Sequence, residues 1–456
     1  MGNYYDLLVV GAGAAGSAAA TSAAEHGAHV ALIERDKIGG TCLNYGCDPT
    51  KTLLHIAATL YHARQADRYG LRILSASFDW GTVEAYTREV INRIRSGTSD
   101  EVSADMAKKG IEVIKGEASF VSPYAVSVQG RTITAERIIV ASGSQTLVPP
   151  IEGLEKAGFI TNVEAVALRS LPQRLAVVGG GAIGIEFAQM YHRFGVSVTV
   201  LERSSYPLDK EDRELADQLC DLLTEEGIHI ETETEVQQAQ RTSDGKRLIY
   251  RCKDGSQKEL VVDEILLALG RRPTLEKLNL EAIGVKTGKR GIEVDKYLRT
   301  GVPHIWAAGD VTGGLKFTHV AYQQGKVAAQ NAFADYPQPF DDSVIPWVTY
   351  TDPPLAHVGK TEEQLREQKI EYRVGRMKFS EVERAVTMGQ TAGLVKLLVD
   401  KQDNILGGHI LGARADDLLA PIVIAMHAKI PVKQLASTII PYPTLSEAVR
   451  WAADRL

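Results

Sequence analysis

The chain has 456 residues, of which 44% are hydrophobic and 24% charged, and its formal net charge is −6. That length supports about two to four domains with cores of their own; the acidic balance gives no footprint for nucleic acid, and no uninterrupted apolar run reaches membrane-spanning length. The N-terminus has no basic region or cleavage site and runs into a predicted strand, so a cytoplasmic protein is expected, and four cysteines in so long a chain are no secreted disulfide framework.

Residues 5–10 form a short apolar run, expected to be a buried parallel strand, and Gly11-Ala12-Gly13-Ala14-Ala15-Gly16 follows at once. A small-residue helix to about residue 26 and a strand over 30–33 ending in Glu34 complete the unit. This is the dinucleotide-binding pattern in its proper context. Its first two glycines allow a tight turn and close approach to pyrophosphate, the third lets helix and strand pack, and the helix N-terminus faces the phosphates. Glu34 lies 23 positions after Gly11, near the roughly 20 expected of a ribose-binding acid.

The next stretch is Gly39-Gly40-Thr41-Cys42-Leu43-Asn44-Tyr45-Gly46-Cys47-Asp48-Pro49-Thr50-Lys51. A helical step of five residues spans roughly 7.5 Å, whereas a disulfide wants Cα atoms about 4.4–6.8 Å apart, so a regular helix cannot close the cysteine pair. Gly46 gives the backbone freedom to bend, and Pro49 suits a first helical turn. The pair reads as a tight, irregular disulfide able to open and close; the alternative is two unrelated buried thiols. Cys220 and Cys252 fall in an amphipathic helix and a strand pattern and read as packing residues.

Long helices are expected over 52–68 and 83–109. Strands follow over 111–115, 124–129, 131–135 and 137–141, with Gln129-Gly130 as a hairpin turn, then Ser142-Gly143-Ser144 and a boundary at Pro149-Pro150. A second fingerprint comes next. The strand 175–178 leads into Gly179-Gly180-Gly181-Ala182-Ile183-Gly184, a helix runs to about residue 194, and a strand over 197–201 ends at Glu202, again 23 positions after the first glycine. Two such units imply two dinucleotides, with electrons passing between them through, or beside, the sulfurs. The second unit ends near Gly270-Arg271-Arg272-Pro273. The stretch 305–311 reads as a strand ending in a ligand-facing acid, Asp310, and Thr318 and His319 start a helix. Beyond about residue 340, strands over 395–399 and 405–411 and helices over 413–428 and 444–453 suggest an α+β domain.

The pattern GGTCxNxGCxPxK resembles the redox motif of the class I pyridine nucleotide–disulfide oxidoreductases, the family of dihydrolipoyl dehydrogenase, glutathione reductase and mercuric reductase. The other motifs extend the resemblance over essentially the whole chain. It implies an α/β fold with two Rossmann-like domains and a C-terminal α+β dimerisation domain: residues 1–150 and 272–340 for FAD, 151–271 for NAD(P)H, and 341–456 making a homodimer. FAD contacts are implied for Gly11, Gly13, Ala14, Ala15, Gly16, Glu34, Arg35, Gly40, Thr41, Lys51, Ala118, Ser142, Gly143, Asp310, Thr318 and His319. Nicotinamide nucleotide contacts are implied for Gly179, Gly181, Ala182, Ile183, Gly184, Glu202, Arg203, Val236 and Gly270. No resident metal is implied.

By the same resemblance Cys47 is the sulfur nearer the flavin and Cys42 the thiol that meets substrate. Lys51 supplies a cation that favours a thiolate and pairs with Glu186. Glu202 favours NADH, because a carboxylate repels a 2′-phosphate, although Arg203 beside it could hold one. In the C-terminal motif, Pro441-Tyr442-Pro443-Thr444-Leu445-Ser446-Glu447 would reach the partner subunit's cysteines. Disulfide reductases of the family carry an acid–base His there, oriented by the glutamate at the Glu447 position. Here the residue is Tyr442, a poor base at neutral pH. Mercuric reductases carry Tyr at this place, and a soft thiolate pair suits Hg(II). The chain departs from them in having no N-terminal metal-binding domain and no cysteine after Cys252. Soluble transhydrogenase also has Tyr here but lacks one redox cysteine. The expected function is therefore mercuric-reductase-like electron transfer from NAD(P)H through FAD and the cysteine pair. The alternatives are a dihydrolipoyl dehydrogenase or other disulfide reductase, a diaphorase or quinone reductase, and a redox-responsive flavoprotein.

Overall fold

The structure, a computed structural model, describes residues 4–456. Strand β1 (Tyr4–Val10), helix α1 (Ala14–Glu25) and strand β2 (Val30–Glu34) form the first βαβ unit, β1 and β2 pairing in parallel. Both strands are covered on both faces, which is why they read as continuous apolar runs rather than alternating ones. The cysteine stretch becomes two helices, α2 (Gly40–Tyr45) and α3 (Cys47–Arg64), meeting at a sharp bend at Gly46. The helix expected over 52–68 thus starts five residues earlier, and Pro49 sits in its first turn, where its missing N–H costs nothing.

The helix expected over 83–109 is two helices, α4 (Trp80–Arg95) and α5 (Ser99–Lys108). Ser96 is left-handed at φ 63°, and Thr98 and Glu101 form a reciprocal capping box that starts α5 afresh. Strands β3 (Ile111–Lys115), β4 (Ala118–Ser122), β5 (Ala125–Val128) and β6 (Arg131–Val140) follow. The β5–β6 hairpin turns at Gln129 and Gly130, both with positive φ. Two corrections arise here. Strand β4 was not expected, and β6 is one strand where two were, because its first half pairs with β5 while its second half runs on along β1. The sheet order is β3-β2-β1-β6-β5-β4.

After β7 (Ser144–Thr146) and two single-turn helices, α6 (Leu154–Ala157) and α7 (Asn162–Ala165), the fingerprint repeats as β8 (Arg174–Val178), α8 (Ala182–Arg193) and β9 (Ser197–Leu201). Helix α9 (Arg213–Glu226) leads to β10 (His229–Glu231). An antiparallel meander, β11 (Glu235–Thr242), β12 (Gly245–Arg251) and β13 (Gln257–Val262), precedes β14 (Glu264–Leu267), which closes the parallel sheet β10-β9-β8-β14. Strand β15 (Arg271–Pro273) then pairs back on β7. The chain returns to the first sheet with β16 (Ile305–Ala307), parallel to the end of β6. The strand expected over 305–311 ends at Ala307, because the backbone turns into a short 3-10 helix at Asp310–Thr312. Helix α10 (Thr318–Phe333) crosses α1 at Gly325, where any side chain would strike the Ala15 carbonyl.

The C-terminal domain is an antiparallel sheet of β17 (Pro346–Thr349), β18 (Leu355–Gly359), β19 (Arg373–Lys378), β20 (Leu394–Val399) and β21 (Ile405–Leu411), in the order β17-β18-β21-β20-β19. Helix α11 (Glu362–Glu367) is tied to it by the ion pair of Glu362 with Lys396, and helices that pack on it include α12 (Glu383–Met388), α13 (Ala415–Leu418), α14 (Ala420–His427), α15 (Val432–Ser437) and α16 (Glu447–Asp454). The helix expected over 413–428 is divided at Leu419. That expected over 444–453 begins only at Glu447, since the backbone at Pro443 cannot donate and Thr444 turns on its own hydrogen bonds to Pro441 and Glu447. The whole is an α/β fold with two Rossmann-like domains and an α+β domain.

Candidate active site

The two fingerprints have the same geometry. Gly11 and Gly179 take φ values of 102° and 110°, which an L side chain resists, and a Cβ on Gly16 or Gly184 would collide with the carbonyl of Gly11 or Gly179. In the first unit Glu34 accepts the Ala12 N–H at 2.7 Å and the Asp36 N–H at 2.7 Å. In the second, Glu202 accepts Gly180 N–H at 2.5 Å and Ser204 N–H at 2.6 Å. Each acid therefore holds its glycine turn at the carboxyl end of the sheet, where open α/β sheets bind ligands.

A cleft opens there in the first unit. It brings together Gly11, Gly13, Glu34, Arg35, Gly40, Thr41, Ala118, Ser142 and Gly143. The cleft fits a dinucleotide on three observations. A Cβ on Gly143 would meet nothing within 4 Å. The first turn of α1, with Ala14, Ala15 and Gly16, has no side-chain cap on its N–H groups. The buried hydroxyl of Thr274, a residue that lines the cleft, has no partner among the described residues. Asp310 does not itself line the cleft, but it accepts a hydrogen bond at 2.5 Å from the hydroxyl of Ser144, which does. In the second unit, Gly181 faces open space and α8 likewise begins uncapped, with Ala182 and Ile183 in its first turn. Gly270 is open, Val236 is half-buried against the core cluster under this sheet and its meander, and Arg203 is exposed.

The cysteines stand beside the first cleft. The bend at Gly46 brings Cys42 on α2 close to Cys47 at the head of α3, both as free thiols near enough for each to perturb the other's proton affinity. Cys47 Sγ lies 3.3 Å from Thr318 Oγ1 at the start of α10. The hydrogen bond from Cys42 pulls the Cys47 thiol down to about 6, helped by the Thr318 hydroxyl and the Lys51 charge and opposed by burial. Cys42 is pushed up by that same hydrogen bond and by burial, so it keeps the proton the pair shares. Lys51, one turn along α3, bonds Glu186 on α8 at 2.7 Å and lies over the Tyr350 ring at 4.6 Å. Glu186 also accepts Tyr350 N–H at 2.8 Å. Lys51 is thus fixed by one residue from the second Rossmann-like domain and one from the C-terminal domain. His319 bonds the Pro346 carbonyl at 2.8 Å, and burial lowers its pKa.

Sequence reasoning missed several members of this arrangement. Tyr350, Asn162 and Thr274 lie in segments without a motif; Asn162 donates to the Tyr45 carbonyl at 2.7 Å and so holds the end of α2. Tyr442 and Glu447 are not brought to the cysteines of the same chain. Tyr442 is exposed and its hydroxyl bonds Glu383 at the head of α12, not Glu447, while Glu447 is buried and accepts Thr444 N–H at 3.2 Å. Within this chain the glutamate that orients the family's His thus serves its own helix start.

Residues 5–325 match the family model described as pyridine nucleotide-disulphide oxidoreductase, and residues 345–453 match the model for that family's dimerisation domain. A mercuric reductase of Staphylococcus aureus is 34% identical over 452 residues, covering 98% of this chain and 82% of that protein. A dihydrolipoyl dehydrogenase of Thermus scotoductus is 37% identical over 458 residues, covering 99% and 97%. The HOCl-induced flavoprotein disulfide reductase RclA of Escherichia coli superposes with a TM-score of 0.87 at 33% identity, over 98% of both chains. The Cu(II) complex of RclA superposes with a TM-score of 0.89 at 32% identity, covering 100% of this chain and 99% of that one.

Proposed function

The chain belongs to the pyridine nucleotide–disulphide oxidoreductase family, and from that premise we propose that it passes electrons from a reduced nicotinamide, through FAD and the Cys42–Cys47 pair, to a soft metal ion held by the two sulfurs. The observation that carries this reading is the pairing of a thiolate-poised Cys47 with Cys42 while residue 442, where dithiol-handling relatives keep an imidazole, is a phenol bonded to Glu383. Two adjacent sulfurs suit a thiophilic cation. A phenol whose pKa is raised by Glu383 is a poor base for deprotonating a dithiol. A mercuric reductase among the relatives and a Cu(II) complex among the similar structures agree with it.

We assign residues 1–150 and 272–340 to FAD, 151–271 to the nicotinamide nucleotide and 341–456 to a homodimer interface. FAD, when bound, supplies the two-electron exchange between nicotinamide and sulfur. Gly11, Gly13, Ala14, Ala15, Gly16, Glu34, Arg35, Gly40, Thr41, Ala118, Ser142, Gly143, Asp310, Thr318 and His319 would hold it. Gly179, Gly181, Ala182, Ile183, Gly184, Glu202, Arg203, Val236 and Gly270 would hold the nicotinamide nucleotide. Glu202, its carboxylate fixed by two N–H groups, disfavours a 2′-phosphate and so selects NADH. Lys51 keeps a positive charge beside Cys47, and Glu186 and Tyr350 keep Lys51 in place. Cys42 holds the shared proton and is the sulfur that meets the substrate. With Hg(II) the balance is Hg(II) + NADH → Hg(0) + NAD+ + H+; with Cu(II), two copper ions each take one electron. Tyr442 and Glu447 would come from the partner subunit.

A panel of Hg(II), Cu(II), lipoamide, glutathione disulfide and a quinone, each with NADH and NADPH, tests the reading on the purified protein. Metal-ion turnover with NADH, lost in Cys42→Ala, supports it. Lipoamide turnover exceeding metal turnover would establish the second reading, dihydrolipoyl dehydrogenase, which the 37% identity to that relative favours. Turnover of the quinone that survives Cys42→Ala would make the chain a diaphorase.

A further inference from the structure

Arg271 begins β15, directly after Gly270, the residue assigned to the nicotinamide nucleotide. Its side chain is only 15% exposed. Nε donates to Ser144 Oγ at 2.8 Å and a terminal nitrogen donates to the Ser144 carbonyl at 2.7 Å, so the guanidinium grips one residue of β7 at two points. The same fork reaches Thr41 Oγ1 and Asn162 Oδ1, each at 3.5 Å. Its nearest carboxylate is Asp310, with Oδ2 4.0 Å from Nε. Between them stands the Ser144 hydroxyl, which donates to that same oxygen at 2.5 Å. The other Asp310 oxygen has no hydrogen-bond partner among the described residues.

A hydroxyl has one proton and can accept two more. Because Ser144 accepts from Arg271, its proton is left pointing at Asp310. We propose that Arg271 is a positioning residue that, through the Ser144 hydroxyl, aims the Asp310 carboxylate at the FAD ribityl chain; this rests on the reading that FAD occupies the first cleft. A buried guanidinium stays charged, and the nearby carboxylate compensates it. Removing the guanidinium frees the Ser144 rotor and leaves Asp310 without a fixed direction. Lysine keeps the charge but cannot donate to a hydroxyl and a carbonyl in one rigid plane.

The test is a double-mutant cycle on FAD binding, read as quenching of flavin fluorescence by the apo-protein, with Arg271→Met, Ser144→Ala and the double variant. Each single change is expected to weaken FAD by about 10-fold, and the double change by no more than the worse single, because both break one relay. Arg271→Lys should bind at an intermediate strength, and Ser144→Ala, the mildest change, should leave the melting temperature of the apo-protein within about 2 °C of the wild type. If Arg271→Met does not fold, Arg271→Lys takes its place in the cycle. Additive losses, or a Ser144→Ala protein that binds FAD as tightly as the wild type, overturn the inference while leaving the flavin reading intact. A wild-type chain that takes up no FAD overturns both.

Discussion

At Cys47 three neighbours act against burial. A thiol near the ordinary value of about 8.5 is mostly protonated at neutral pH, whereas one held at about 6 is mostly thiolate. The leading cause is the hydrogen bond from Cys42, so the midpoint belongs to the pair. In the reduced protein the ultraviolet thiolate absorbance should titrate with a first midpoint near 6, thiol below and thiolate above. Cys42→Ala removes the donor and should move that midpoint up; an unmoved midpoint would mean the sulfurs are not bonded. Tyr442 makes the opposite case, because Glu383 holds its proton on. Tyr442→His puts a group that titrates near neutrality at this place, and it should raise turnover of a dithiol such as dihydrolipoamide by at least about 10-fold. An unchanged rate would place residue 442 away from the substrate.

Helices α1 and α10 cross so closely that residue 325 has to be glycine. A Cβ there meets the backbone of Ala15, which cannot swing aside as a side chain could. Gly325→Val should cost about 1–3 kcal/mol of stability, as overpacking does, seen as a lower denaturant midpoint. It should also lower FAD retention, because α1 carries the uncapped N–H groups of the first cleft. Wild-type retention would mean the two helices separate without disturbing the turn. The βαβ units and the break at Gly46 were legible because their glycines and acids sit at fixed offsets set by local geometry. The α4–α5 break was not read: Gly97, Thr98 and Glu101 mark it, but the helical pattern on either side masked them. Nor was strand β4: it pairs locally with β5 across Pro123-Tyr124, but its contact with Leu278 is set by the tertiary fold. Within the site, Lys51 and Glu186 could be read from their motifs, whereas Tyr350 and Asn162 come from segments whose only signal is where the chain folds them.

Across the whole molecule, the second Rossmann-like domain is tied to its neighbours by buried charge. Arg193 on α8 is 4% exposed; it bonds Glu226 at the end of α9 at 2.6 Å, Asp352 beyond β17 at 2.7 Å, and stacks on Tyr61 of α3. His62 of α3 also reaches Asp352, at 2.9 Å. Lys396 does the same from the C-terminal sheet, bonding Asp212, Glu214 and Glu362. These ties hold Glu186, and with it Lys51, in register with the cysteines. Burial raises the Asp352 pKa, but the His62 hydrogen bond and the Arg193 charge outweigh it and bring the group down to about 2. A carboxyl depressed in the folded state contributes stability that is complete above its unfolded value of about 3.9 and is lost as pH falls through its folded value. Asp352→Asn should therefore lie below the wild type in denaturant midpoint by a constant gap at neutral pH, and the gap should narrow below about 4 and close near 2. Arg193→Met, which strands two acids, should cost about 3–5 kcal/mol at neutral pH. Equal midpoints of wild type and Asp352→Asn at pH 7 would show that Arg193 is compensated by Glu226 alone, and that the C-terminal domain is held to the second Rossmann-like domain by Lys396 rather than by this pair.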